Sequence, residues 1–225
     1  MGRDQRVGAL SELGAQFAGV VKLTSTLSTV APTRSGRRPC ARRRRRCHNG
    51  AMTRSGAPER SASESIRDLV VRPLGPAEAA RRLDALVSLV LRSKASWGYD
   101  EQFMTRFAAT SVTREFVGPR RVSLIALAAE REVGLAVVDD EGSRAWLEDL
   151  WVEPCVFTRG VGRALFVASL DVVRGWHRSV LELESDPNAE GFYLAMGATR
   201  TATRPSSLAP DRPLPLLRYE IATSE

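Results

Sequence analysis

Gly160 and Gly162 lie one residue apart, flanked by Arg159 and Arg163, where an apolar strand-like run gives way to a helical pattern. A helix N-terminus presents free N–H groups and the positive end of the helix dipole, which together hold phosphate and other anions. Glycine lets the backbone approach such an anion closely. Upstream stand two adjacent carboxylates, Glu148 and Asp149, and a third, Glu184, lies in the next apolar run. Downstream comes Asp186-Pro187-Asn188-Ala189-Glu190-Gly191-Phe192-Tyr193. By itself a Gly-x-Gly turn is weak evidence of a ligand, so the elements around it decide what it means.

Ile66 to Leu74 alternates apolar and polar residues and ends at a Pro-Leu-Gly-Pro turn, which predicts a first strand. Pro76 opens a helix whose apolar residues Leu83, Leu86, Val87, Val90 and Leu91 recur at helical spacing. A second helix runs from Asp100, its expected N-cap, to about Thr110. Val122–Ala129 and Glu132–Asp139 read as a strand pair across a turn at Glu130-Arg131. Arg144–Glu153 is the strand that enters the glycine turn. Gly162–Trp176 is an amphipathic helix, Ser179–Asp186 a strand, and Asn188–Met196 a short helix closed by Gly197. Ala198–Arg204 and Leu214–Ala222 are the final strands, joined by a Pro-rich loop.

Strand, Val-x-Pro, an Arg-Gly-x-Gly turn, helix, strand, then Asn188-Ala189 with Phe192-Tyr193 and a closing Met196-Gly197-Ala198 resembles the GNAT superfamily of N-acetyltransferases. The resemblance is strongest over residues 144–199 and extends over about 66–222. It implies an α/β (α+β) acyl-CoA N-acyltransferase-like fold, a mixed but mostly antiparallel sheet flanked by helices. It implies acetyl-CoA as co-substrate and no metal. The pyrophosphate contacts then fall on Arg159, Gly160, Val161, Gly162 and Arg163. The pantetheine arm lies between two splayed strands, against the main chain of Leu150, Trp151 and Val152. Asn188 and Tyr193 match the family's last motif, in which the tyrosine protonates the departing CoA thiolate. Trp97, Tyr99 and Asp100 fall in the connection that walls the acceptor side. One position departs from the family pattern: Phe157 stands where Gln or Arg is usual, three residues before the first glycine.

An amine attacks a thioester only when neutral, and alkylamines are mostly protonated at pH 7. The site therefore needs a proton acceptor and a donor for the developing oxyanion. Glu148, Asp149 and Glu184 are the candidate bases. Strict strand alternation places Trp146, Glu148 and Leu150 on one face and Asp149 on the other, so only one of the adjacent pair faces the acceptor. Glu148 is the preferred base, and a backbone N–H near Trp151 or Val152 is the oxyanion donor. His177 follows a helix end, where it reads as a favourable C-terminal cation.

The chain of 225 residues has a formal charge of +7. Residues 1–51 carry 11 Lys and Arg against 2 acids, which leaves the rest of the chain at −2. The near-neutral remainder argues against a nucleic-acid face on the domain. Residues 1–65 lack a sustained apolar period, so the expectation is a disordered Arg-rich extension followed by an N-acetyltransferase domain over 66–225. The Arg42–Arg46 block leaves RNA or lipid binding open, the composition is also that of transit peptides, and Met52 offers an alternative start. Cys40, Cys47 and Cys155 are too few and too irregular for a metal site, and they suit a reducing cytoplasm. No run is long and apolar enough to span a membrane.

The expected function is acetyl transfer from acetyl-CoA to a primary amine of a small molecule or peptide, in a ternary complex. Two other classes stay open: a non-catalytic acyl-CoA-binding module, and an RNA-associated protein acting through the Arg block. Assembly as a homodimer is also left open.

Overall fold

Two apolar runs of the chain form its central hairpin. The computed structural model describes residues 21–22, 68–112 and 115–222. In it β3 (Arg121–Ala128) pairs antiparallel with β4 (Arg131–Asp140). Both strands are buried over six consecutive residues, as strands are when helices cover both faces of a sheet. Their turn is Ala129-Glu130, one residue earlier than expected. Both residues have positive φ (48° and 61°), the geometry of a two-residue turn that matches strand twist.

In chain order the elements are β1 (Val21–Lys22), β2 (Val70–Pro73), α1 (Pro76–Ala95), α2 (Glu101–Thr110), β3, β4, β5 (Ala145–Val152), α3 (Val161–Gly175), β6 (Val180–Glu184), α4 (Glu190–Ala195), β7 (Thr199–Pro205) and β8 (Pro213–Glu220). A 3-10 turn at Pro154–Val156 links β5 to the glycine turn. The sheet order is β1-β2-β3-β4-β5-β6-β8-β7, and every neighbouring pair is antiparallel except β5/β6. From β2 onward this is the element order that the sequence predicts. The expectation of a disordered extension over 1–65 falls outside the described residues, apart from the two-residue β1.

The core has two layers. On one face α3 packs Leu165, Phe166 and Leu170 against Leu124, Ala136, Val138 and Leu147. On the other, α1 and α2 pack Leu86, Val90, Phe103 and Phe107 against Ile125, Leu135 and Val137. Burying each such side chain is worth about 1.5–3 kcal/mol. Gly134 on β4 brings α3 close to the sheet: a Cβ there would lie 2.7 Å from Leu165 Cδ1 and 3.1 Å from Val161 Cγ1. Helix α3 therefore sits directly over β4, and its first turn lies against β5, where a Cβ on Gly162 would be 3.6 Å from Val152 Cγ2. At its other end His177 adopts φ 56°, the left-handed conformation that terminates helices.

Candidate active site

β5 and β6 pair through only two residue pairs, Ala145↔Leu181 and Trp146↔Glu182. Beyond them β5 continues to Val152 and β6 to Glu184, so the parallel strands part. The gap between them opens into a cavity of about 510 Å³. Its walls include Leu150, Trp151 and Val152 from β5, Gly160, Gly162 and Arg163 from the turn, Glu184 from β6, Asp186 and Asn188 from the loop after it, and Tyr193 from α4.

The glycine turn forms one end. Gly160 is the N-cap of α3 at φ 87°, and a Cβ built on it would meet nothing within 4 Å. The turn thus requires glycine for its backbone conformation, and the space over it is open. The first intrahelical bond is donated by Ala164 to the Gly160 carbonyl, which leaves the amides of Val161, Gly162 and Arg163 as the free first turn. Val161 places its side chain in the core at 1 % exposure, so only its main chain is available. Arg159 and Arg163 are exposed. A bulky pyrophosphate fits this end on three counts: free amides, two arginines and no obstructing side chain. Phe157, the departure from the family pattern, stacks on Trp97 with ring centroids 5.8 Å apart, and both line the cavity.

The carboxylates of β5 differ from the alternating pattern. Pairing with β4 passes from Val138↔Leu147 to Val137↔Asp149, so Glu148 is an extra, bulged residue. Leu147 belongs to the α3 layer, and Val137, opposite Asp149, belongs to the α1/α2 layer. The bulge therefore turns both Glu148 and Asp149 toward α1 and α2, and places Leu150 on the α3 side. The expectation that the two lie on opposite faces is overturned, because alternation holds only for an unbroken register; of the two, Glu148 lines the cavity and Asp149 does not. Glu148 lines the cavity and accepts a 3.1 Å bond from Trp146 Nε1. Glu148 is exposed as a residue, but desolvation by its surroundings and the neighbouring Asp149 raise its carboxyl above the ordinary glutamate range. Asp149 is 6 % exposed and accepts a 2.6 Å bond from Trp151 Nε1. Glu184 lines the cavity too and is paired with Arg204 at 2.5 Å.

Tyr193 is 6 % exposed, with its ring packed edge-on to Phe166 and Phe192 at 5.9 and 5.0 Å. Burial, then the charges of Asp149 and Asp186, push its phenol well above the ordinary tyrosine range, so it is protonated at neutral pH.

A polar hub centred on Asp186, which the sequence did not reveal, stands at the wall of the cavity away from the glycine turn. Asp186 accepts from Lys94 Nζ at 2.6 Å, from Tyr99 Oη at 2.8 Å, and from the Asn188 backbone N–H at 2.9 Å. Asn188 Nδ2 donates to Asp186 at 3.1 Å and to Tyr99 Oη at 3.2 Å. The Arg212 guanidinium forms an ion pair with Asp186 at 2.8 Å and lies over the Tyr99 ring at 4.7 Å. Lys94 is 6 % exposed, its ammonium 4.9–5.9 Å from the rings of Tyr99, Phe103, Phe107 and Trp151. Burial works against both charges of the pair. It lowers Lys94, which is paired with Asp186; on Asp186 the Lys94 charge and the several donors outweigh it, holding the carboxyl at about 2.

Of the expected acceptor residues, Trp97 lines the cavity, and Tyr99 reaches it through Asp186. Asp100 does not line it; its carboxylate caps α2 by accepting from the Phe103 N–H at 2.7 Å. Lys94 had one signal in the sequence: it continues the Leu86–Val90 stripe at helical spacing, so it had to point inward. Among the described residues no group of three or more His, Cys, Asp or Glu is placed to hold a metal. No helix among them is long and apolar enough to cross a membrane.

A mixed sheet with one splayed parallel pair, a glycine turn at the foot of the splay and helices on both faces is the fold of the GNAT N-acetyltransferases. Among solved structures, this chain is similar to a PaiA N-acetyltransferase from Thermoplasma acidophilum in complex with coenzyme A, at TM-score 0.58 and 14% identity over 68% of this chain and 99% of that one. It is similar to the ribosomal-protein-S18-alanine N-acetyltransferase from Escherichia coli, at TM-score 0.52 and 17% identity over 70% and 96%. An aminoglycoside 6'-N-acetyltransferase complexed with coenzyme A gives TM-score 0.54 and 17% identity over 69% and 98%. No family model matches the sequence. Nor does any curated protein match it.

Proposed function

We propose that this protein is an N-acetyltransferase that moves an acetyl group from acetyl-CoA to a primary amine of a small molecule or peptide. The observation that supports this most is the cavity between β5 and β6, which runs from the free amides of the Gly160–Arg163 turn to carboxylates and a buried phenol. In this reading the amides of Val161, Gly162 and Arg163, with Arg159, hold the pyrophosphate. The β5 edge at Leu150, Trp151 and Val152, paired with β4 on one side and open toward β6 on the other, holds the pantetheine arm, as a strand edge holds an added strand. Asn188 borders the arm from the α4 side.

Glu148 accepts the ammonium proton, directly or through water, and its raised carboxyl suits that task near neutral pH. The neutral nitrogen adds to the thioester carbonyl, whose oxyanion is met by a β5 backbone N–H. The carbon–sulfur bond then breaks, Tyr193 gives its proton to the thiolate, and the proton shed by the new amide nitrogen restores the phenol through water. Trp97 and Phe157 form the rim over which the acceptor enters. The structures named above include a ribosomal-protein-S18-alanine N-acetyltransferase and an aminoglycoside 6'-N-acetyltransferase, which supports an amine as the acceptor in this reading.

The test is calorimetric titration of the full chain with acetyl-CoA, beside a thiol-release assay across polyamines, aminoglycosides, amino acids and peptides. Saturable binding with CoA release in the presence of at least one amine is expected. Binding without release for any amine would leave an acyl-CoA-binding module. Absence of binding would overturn the reading.

A further inference from the structure

Four of the five buried serines are bonded to backbone through their hydroxyls. Ser123 donates to the Phe116 carbonyl, Ser169 to that of Leu165 at 2.9 Å and Ser185 to that of Asp186 at 2.8 Å. Ser206 accepts from the amides of Leu208 and Ala209 at 3.2 and 3.4 Å. The fifth is Ser93, near the end of α1. It is 3 % exposed, and its hydroxyl has no hydrogen-bond partner among the described residues. A serine within a helix can bond the carbonyl four residues earlier, as Ser169 does in α3. Ser93 does not, although leaving a buried hydroxyl without a partner is costly. Ser93 lines the cavity. Tyr193 carries the other buried hydroxyl in this state, and it lines the same cavity.

The contacts on either side fix where Ser93 stands. Arg92 donates to Glu153 at 2.8 Å, and the Lys94 ammonium lies 5.9 Å from the Trp151 ring. One turn further on, Trp97 stacks on Phe157. This turn of α1 therefore lies beside the end of β5, where the strand has parted from β6.

We propose that Ser93 is a binding residue for the acyl donor, its hydroxyl donating to a carbonyl oxygen of the pantetheine arm from the α1 side. The inference rests on the acetyl-CoA reading of the same cavity. Each amide of the arm brings one donor and one strong acceptor out of water, and both need partners there. The edge of β5 meets the groups that face it. A carbonyl turned away from β5 needs a donor on the opposite wall, and Ser93 holds a hydroxyl there with its proton uncommitted. Val156 and Phe157, also at the cavity, bring no polar side-chain atom.

The experiment is calorimetric titration of the full chain and of Ser93→Ala with acetyl-CoA and with CoA. Both ligands carry the arm, so both should bind Ser93→Ala more weakly by the same factor, about two- to tenfold for one neutral hydrogen bond. Thermal melting of the ligand-free proteins should move the other way or not at all. Alanine removes a hydroxyl that bonds nothing in the protein, and it is the better helix former. A serine kept for packing would lower the melting temperature and leave both affinities in place, which would overturn the proposal. A loss confined to acetyl-CoA would overturn it too, by placing the hydroxyl at the acetyl carbonyl. So would unchanged affinity for both ligands beside a raised KM for the amine, which would assign the hydroxyl to the acceptor. If the wild-type chain binds neither ligand, the acetyl-transfer reading fails and this inference with it. Tight wild-type binding matched by Ser93→Ala overturns the inference alone.

Discussion

Replacing Asp186 with asparagine should destabilise the protein by about 2–5 kcal/mol at neutral pH, a large share of the stability of an ordinary domain. Two independent routes give that range. The Asp186 carboxyl is held at about 2, roughly two pH units below the ordinary aspartate range. At about 1.4 kcal/mol per unit this is a stabilisation of about 2–3 kcal/mol. From the partner's side, asparagine leaves the Lys94 ammonium buried at 6 % exposure without its counter-charge, and breaking buried pairs in this way costs about 3–5 kcal/mol. The assay is urea unfolding of both forms at a series of pH values. The sign is definite. A depressed carboxyl stabilises above its unfolded value and loses that contribution as pH falls toward about 2, so the two forms should converge between about pH 4 and pH 2. Adding Lys94→Met to Asp186→Asn should recover much of the loss. A thioether suits the ring cage of Tyr99, Phe103, Phe107 and Trp151 and brings no charge. A loss below about 1 kcal/mol, or a double variant no better than the single, would refute the claim that the ion pair, rather than general packing, holds this wall of the cavity.

Three further outcomes are expected. Gly160→Val forces a branched residue to φ 87°, so it should lower stability by about 1–3 kcal/mol and remove acetyl-CoA binding measured by calorimetry in the folded fraction. Tyr193→Phe should lower kcat by roughly 10²–10⁴ while acetyl-CoA affinity changes little, because the ring still packs on Phe166 and Phe192; steady-state turnover beside direct binding separates the two. Leu165→Ala, at 0 % exposure beneath Gly134, should cost about 2–5 kcal/mol by denaturant unfolding.

The sequence carried the element order because periodicity is local. Apolar spacing in Pro76–Ala95 and Val161–Gly175 and continuous apolar runs in β3 and β4 each declare their type within a few residues. Asp100 declared itself as a cap for the same reason, although its family position suggested an acceptor contact. The facing of Asp149 was not legible, because one skipped residue in the register with β4 reverses the face of everything beyond it. The hub on Asp186 was not legible either. Asn188 is its near neighbour, but Lys94 and Tyr99 come from one distant stretch and Arg212 from another, and only folding brings these to one carboxylate. Lys94 alone left a trace, as a charged residue on an otherwise apolar stripe.

The two-pair contact between β5 and β6 also has a mechanical meaning. It divides the sheet into two rafts, β1 to β5 and β6 to β8, moored edge to edge at Ala145 and Trp146 and open for the remaining length of β5. A ligand whose own amide groups lay along that open length would act as a substitute strand and lash the rafts together. Ligand binding and cohesion of the sheet are then one event. Slowed amide exchange along Leu147–Val152 and a raised melting temperature would report both at once.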